Sequence, residues 1–100
     1  MVYYFIKKSS SGNKKFDVFE SPHKLITRFG DINYLDYTLH KNEELKNNYI
    51  KRHMVNENWN DLTKAGTWAR YILWNKESIQ NSIKDMEKLF KIKIIFLDNN

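Results

Sequence analysis

Residues 79–97, IQNSIKDMEKLFKIKIIFL, contain the two patterns that decide the fold class. In the first of them, apolar residues recur with the spacing of one face of an amphipathic helix, at Ile79, Ile83, Met86 and Phe90. This spacing predicts a helix from about Lys76 to Phe90. From Lys91 to Leu97, lysine alternates with isoleucine before the chain becomes wholly apolar. That stretch predicts a strand that is buried on at least one face.

The partners for this last strand are predicted at the start of the chain. Val2–Lys7 and Lys14–Glu20 are rich in aromatic and β-branched residues, and the polar run Ser9–Asn13 separates them. This arrangement is typical of a β-hairpin. Pro22 then breaks the second strand, because proline has no amide hydrogen to donate to a ladder. Lys24–Phe29 is predicted as a weaker third strand.

The middle of the chain begins with a stretch of no clear period. Gly30 and Asp31 are expected to end the third strand, and residues 31–41 fit neither the helical nor the strand pattern, so we expect an ordered loop. Asn42 is a plausible N-cap of a first helix, because Glu43 and Glu44 suit the positive end of its dipole. Its last turn is predicted at Arg52 and His53.

A second helix is predicted from a cap at Asp61 or Thr63 to Trp74. Ala65, Trp68, Ala69 and Ile72 share its core-facing stripe. The predicted order is therefore β-β-β-α-α-α-β, in a single domain over residues 1–100. The fold class is α+β: an N-terminal hairpin plus a third strand, three helices covering one face, and a C-terminal strand that returns to the sheet.

Composition limits the function classes. The 100 residues include 17 Lys and Arg against 12 Asp and Glu, for a net charge of +5, and no cysteine. Disulfides, thiolate zinc sites and a cysteine nucleophile are thereby excluded. The longest wholly apolar run is Ile94–Leu97, too short for a membrane span. The start of the chain has no charged n-region or small-residue cleavage site, so we expect no signal peptide.

The positive charge is concentrated around the predicted hairpin loop. Four lysines flank it: Lys7, Lys8, Lys14 and Lys15. Around a flexible Ser/Gly tip they are able to neutralise phosphates without reading sequence. The same pattern also suits a solvated hairpin end or an acidic surface of another protein. Because these lysines flank a loop, we expect folding to respond little to their loss.

Histidine, carboxylate and tryptophan residues offer two further chemistries. A carboxylate–histidine metal or nuclease site is conceivable from Asp36, His40, His53, Glu57 and Asp61. Their spacing matches no known metal signature, and we expect these residues to form hydrogen bonds within the fold instead. Trp59, Trp68 and Trp74 suit either stacking on bases or packing in the core and at an interface. We expect packing for Trp68, which lies on the core stripe.

The stretch from Phe29 to Lys76 contains several motifs with rare aromatic and histidine positions. They are Phe29-Gly30, Tyr34, Asp36-Tyr37-Thr38, His40-Lys41, Tyr49-Ile50-x-Arg52-His53, Glu57-Asn58-Trp59-x-Asp61, Ala65-Gly66-x-Trp68-x-Arg70 and Leu73-Trp74-Asn75-Lys76. In these residues the chain resembles a family of small uncharacterised proteins from large nucleocytoplasmic DNA viruses of algae and protists. Leu62 and Lys64 depart from the pattern, which has proline and threonine there. The resemblance implies a viral setting and no established activity.

Together these observations lead to three functional hypotheses. The first is a non-enzymatic structural component of a large DNA virus particle, a minor capsid or internal virion protein that contacts other virion proteins. The second is a nucleic-acid-binding module that uses the hairpin lysines. The third is a metal-dependent nuclease. We expect no cofactor and no bound metal. The candidate partner-binding or nucleic-acid-binding residues are Lys7, Lys8, Lys14, Lys15, Arg52, Trp59 and Trp74.

Overall fold

The computed structural model describes residues 2–21 and 24–97 and contains four strands and four α-helices. Within that part of the chain, no helix is long and apolar enough to cross a membrane. The predicted α+β class is confirmed, with one more helix than expected. The elements are β1 (Tyr3–Lys8), β2 (Lys14–Ser21), β3 (Lys24–Asp31), α1 (Tyr37–His40), α2 (Glu43–Met54), α3 (Ala65–Trp68), which continues as a π-helical turn (Ala69–Leu73), α4 (Ile79–Phe90) and β4 (Lys93–Leu97).

The strands form one mixed sheet in the order β3-β2-β1-β4. β1 pairs antiparallel with β2, which pairs antiparallel with β3. β4 returns to lie parallel to β1, so that Ile6 is flanked by Val18 on one side and Phe96 on the other. The predicted return of the C-terminal strand to the sheet is therefore confirmed. The predicted break at Pro22 lies outside the described residues.

The core lies between one face of this sheet and the helices. Trp68 is fully buried at its centre, with its ring 5.3 Å from Tyr4 and 6.5 Å from Phe29. The predicted stripe of α4 packs here: Ile83 and Met86 are buried, and Ile79 and Phe90 are partly buried against the same cluster. Both the core prediction for Trp68 and the packing of the α4 stripe are confirmed.

The structure corrects the expectation of a loop over residues 31–41. β3 continues through Gly30 to Asp31, and α1 forms at Tyr37–His40. Gly30 has φ +82°, and an added Cβ there would lie 2.9 Å from a Leu73 methyl, so only glycine suits this point of the strand. α1 begins because the Asp36 carboxylate accepts a hydrogen bond from the Thr38 amide, an N-cap that periodicity cannot reveal.

The helix predicted to follow Asn42 is α2 in the structure, and it begins where predicted. The Asn42 side chain caps it by accepting a hydrogen bond from the Leu45 amide. The predicted second helix is present as α3 and the π-helical turn that ends at Leu73, but its predicted cap at Asp61 or Thr63 is wrong. Asp61 accepts hydrogen bonds from Thr63 within a turn, and α3 starts later, at a Lys64 N-cap with no side-chain hydrogen bond. The missing side-chain cap falls at Lys64, which is one of the two positions where the chain departs from the motifs of the family it resembles.

Candidate functional site

Three of the sequence-predicted site residues line one cavity of about 470 Å³: Lys15, Arg52 and Trp74. The cavity lies between the end of β3, the chain that follows it, α2 and the π-helical turn. Its remaining lining residues are Gly30, Asp31, Tyr34, Leu35, Asp36, Tyr49, His53, Ala69 and Leu73. Eight of the motif positions between Phe29 and Trp74 are thus brought around a single concave surface: Gly30, Tyr34, Asp36, Tyr49, Arg52, His53, Leu73 and Trp74.

One wall of the cavity is a column of aromatic rings. Tyr49 of α2 stacks on Trp74, with ring centroids 4.2 Å apart and an interplanar angle of 2°. His53 lies against the other side of Tyr49 at 4.3 Å, and His40 packs on Trp74 at 5.3 Å. Burial in this column raises the pKa of Tyr49 to about 12. Trp74 therefore has one ring face occupied by Tyr49, so it serves as a wall of the cavity and fixes α2 to the helical layer.

An ion pair between Lys15 and Asp36 joins the sheet to the start of α1. Its side chains are only 15% and 4% exposed. The Lys15 ammonium also donates to the Tyr34 carbonyl at 2.8 Å, and Asp36 accepts from the Thr38 amide at 2.9 Å. This network holds residues 34–38 firmly against β2.

The hairpin lysines do not form the single cluster that the sequence suggested. Lys15 is committed to Asp36, and the Lys7 ammonium lies 4.9 Å from the centre of the Phe19 ring. Lys8, Lys14 and Lys15 all line a second cavity of about 570 Å³. Three of the four lysines therefore border one cavity, while Lys7 lies apart from them against Phe19.

The hairpin loop is also fixed rather than flexible. The Asp17 carboxylate, 1% exposed, accepts from the Ser9 hydroxyl at 2.5 Å and from the Ser10 amide at 3.3 Å. The Arg28 guanidinium donates to the same carboxylate at 3.0 Å. A loop held by a buried carboxylate is a poor match for the flexible phosphate-binding tip of the nucleic-acid hypothesis.

Between the two cavities lies a segment with exposed apolar side chains that the sequence reading missed. We call it the apolar segment: Ile32, Tyr34, Leu35 and Leu39. Tyr34 and Leu35 are 68% and 67% exposed, although the backbone around them is ordered by the Lys15–Asp36 network. One feature of the sequence could have revealed this segment: the apolar residues within 31–41 follow neither the helical nor the strand spacing. Such residues share no regular face that could bury them.

Trp59 lies apart from the cavity and packs on Arg70. The Arg70 guanidinium is 5.5 Å from the Trp59 ring and 5.1 Å from the Tyr71 ring, and it donates to the Trp74 carbonyl at 2.7 Å. Burial lowers the pKa of Arg70 from its usual value. Trp59 is thus placed as a structural anchor, through Arg70, for the π-helical turn.

The residues proposed for a metal site are dispersed into separate contacts. His40 Nδ1 accepts from the Asn42 amide at 2.9 Å, and His53 faces Glu57 at 3.7 Å. Hydrogen bonds from Thr63 lower the pKa of Asp61. Over residues 2–21 and 24–97, no three histidine or carboxylate side chains come close enough to hold a metal ion together. The geometry gives no support to the nuclease hypothesis.

The fold and this surface define a small α+β domain with an aromatic-walled cavity and exposed apolar residues at its rim. Residues 5–53 match the family described as "Family of unknown function (DUF5754)". The match extends from β1 through nearly all of α2 and includes the Lys15–Asp36 pair, the apolar segment and Arg52. The expected similarity to an uncharacterised family of small proteins is confirmed. No curated protein and no solved structure matches the chain.

Proposed function

We propose that this chain is a non-enzymatic module that binds another protein through the apolar segment. The observation that carries the proposal is the exposure of Ile32, Tyr34, Leu35 and Leu39 on an ordered stretch of backbone. Contiguous exposed apolar side chains are uncommon on a monomer surface and mark protein interaction sites. A cavity on each side of the segment provides room for side chains of the partner.

The surface has the chemistry of an interface centre. Tyrosine, tryptophan and arginine dominate binding energy at protein interfaces, and here Tyr34, Trp74 and Arg52 line one cavity. The segment is held in place before the partner arrives, by the Lys15–Asp36 pair and the N-cap of α1. A surface ordered in advance loses less conformational entropy on binding, which favours affinity.

The absence of enzymatic activity is part of the same proposal. What supports it is that two of the candidate acid–base groups already have partners within the fold: Asp36 with Lys15, and Asp61 with Thr63. A general acid or base needs a free position towards the substrate, within hydrogen-bond reach. These groups instead stabilise turns and helix starts.

The setting proposed for this binding is the particle of a large DNA virus, where the chain would be a minor capsid or internal virion protein. Its support is the resemblance of residues 29–76 to small proteins of such viruses. Mass spectrometry of purified particles of the virus that encodes the chain tests this setting, and absence of the chain from them would refute it.

The binding proposal is tested by removing apolar side chains from the apolar segment. The test variant is Tyr34→Ser, Leu35→Ser and Leu39→Ser; the matched control is Met54→Ser and Val55→Ser, at exposed apolar positions at the end of α2. Chemical cross-linking in cells that produce the chain is followed by quantitative mass spectrometry. We expect a defined partner to cross-link to the native chain and the control, and to be lost from the test variant. Equal partner recovery with all three chains would refute the proposal.

A further inference from the structure

The sheet has a second face, which the helices do not cover. Its apolar residues belong neither to the core nor to the side chains packed against it, because those come from the alternate positions of each strand. We call it the open face, and its members are Tyr3, Phe5, Lys7, Asp17, Phe19, Leu25, Arg28, Lys93 and Ile95. Tyr3 is 49% exposed, and Phe5, Phe19 and Ile95 are half-buried.

The aromatic residues of the open face occupy neighbouring positions. Phe5 of β1 lies directly opposite Phe19 of β2 and beside Ile95 of β4. Tyr3 stands two residues before Phe5 on the same face of β1. Adjacent strands are about 4.8 Å apart and alternate residues of one strand about 7 Å apart, so the three aromatic residues start from neighbouring positions on one side of the sheet.

The charge of the open face is positive. Lys7 and Arg28 lie on either side of Asp17 in the strand pairing, and Lys93 lies opposite Tyr3. The Asp17 carboxylate is buried and paired with Arg28, so little of its negative charge faces solvent. The Lys93 ammonium, 3.9 Å from Glu87, remains more than half exposed. Lys7 therefore lies against the Phe19 ring and Lys93 opposite Tyr3, so two of the three rings have a cation beside them.

We propose that the open face binds single-stranded nucleic acid. Bases stack on exposed aromatic rings with little sequence preference, while lysine and arginine neutralise the phosphates beside them. A duplex fits this surface poorly, because its bases are already stacked and its outer surface is phosphate. A second copy of the chain would bring like charges together. This surface is distinct from the apolar segment and does not depend on the protein-binding proposal.

The test uses fluorescence anisotropy with labelled single-stranded oligonucleotides of about 16 nucleotides, as DNA and as RNA, and a duplex of the same sequence. Two separate variants, Phe5→Leu and Tyr3→Leu, each remove one aromatic ring of the open face and leave an apolar side chain in its place. Phe90→Leu is the matched control, since Phe90 is a half-buried aromatic in the helical layer. We expect each open-face variant to bind single strands roughly 5- to 150-fold more weakly, with the control unchanged. The DNA and RNA arms identify which nucleic acid is preferred.

The proposed contact between open-face cations and phosphates is tested with a second pair of variants. Lys7→Gln removes a cation from the open face, and Lys51→Gln removes one from the exposed side of α2. Only Lys7→Gln should reduce the slope of log affinity against log salt, by about 0.7 for one lost contact with a single strand. Circular dichroism confirms that each variant is folded.

Three outcomes would overturn the proposal. The first is an absence of binding to either single strand at micromolar protein. The second is binding that Phe5→Leu and Tyr3→Leu leave unchanged, which would assign the affinity to charge alone. The third is a concentration-dependent dimer in analytical ultracentrifugation that Phe5→Leu abolishes, which would make a second copy the occupant.

Discussion

Replacing Lys15 by glutamine should destabilise the fold far more than a surface substitution. The Lys15–Asp36 pair is mostly buried, and the change leaves the Asp36 carboxylate without its counter-charge. Removing one partner of a buried pair costs about 3–5 kcal/mol. Asp36 keeps its hydrogen bonds from Thr38, which still stabilise its negative charge. We therefore expect a loss at the lower end of this range, about 3 kcal/mol. This is a large part of the stability of a domain of this size, and it corrects the expectation that every hairpin lysine is dispensable for folding.

Urea and thermal unfolding, followed by tryptophan fluorescence, measure the effect. Lys8→Gln is the matched control, because it removes the same charge from an exposed position of the same hairpin and should change the free energy of unfolding by less than about 0.5 kcal/mol. A loss of 3 kcal/mol lowers the melting temperature by roughly 12–24 °C in a domain of this size. The slope of free energy against urea should stay the same in all variants, since the same surface is exposed on unfolding.

The double variant Lys15→Met with Asp36→Asn is compared with the single variants Lys15→Met and Asp36→Asn. This cycle isolates the interaction between the two side chains. Removing both charges leaves no unpaired buried ion, so the double variant should be more stable than the sum of the two single losses predicts. Equal stabilities of Lys15→Gln and Lys8→Gln, or strict additivity in the double variant, would show that the pair does not hold the apolar segment to the sheet.

Three further measurements test other parts of the structure. Ile83→Ala should lower the free energy of unfolding by about 2–5 kcal/mol, and Leu89→Ala on the exposed side of the same helix by much less; equal losses would contradict the packing of α4. Asn42→Ala should cost about 1 kcal/mol by removing the N-cap of α2, measured by urea unfolding. Tyr37 and Tyr49, with pKa values raised to about 12, should ionise well above the ordinary tyrosine pKa of about 10 in an absorbance titration. Because the folded state holds their protons more tightly, their stabilisation is complete below pH 10 and is lost as the pH rises towards 12.

The sequence was sufficient for the regular elements because each has a clear period. The stripe of α4 and the alternation in β4 both come from faces buried against the same core, so local spacing reports the tertiary environment. α1 has no such period. It is a single turn that depends on Asp36, whose carboxylate is placed by a lysine twenty-one residues earlier in the chain. A contact over that separation leaves no local pattern.

The candidate site was only partly predictable for the same reason. Lysine clustering in the sequence suggested one basic patch, but alternation along β1 and β2 sends neighbouring side chains to opposite faces of the sheet. Lys7 therefore joins the open face while Lys8 lines a cavity on the helical side. The sequence did identify Arg52 and Trp74, since both stand in aromatic motifs, but their convergence on Lys15 is a property of the fold.

A chain of 100 residues has only enough helix to cover one face of its sheet, and the open face follows from this. The helices here are short, and Trp68 with its neighbours uses them to cover one side of the sheet. A sheet face left to solvent is ordinarily polar, because antiparallel strands then alternate apolar and polar residues. On this open face the alternate positions are instead Tyr3, Phe5, Phe19 and Ile95. Solvent-accessible aromatic residues of this kind favour aggregation unless something covers them, so their presence beside Lys7 and Lys93 argues for a ligand that is both stackable and negatively charged.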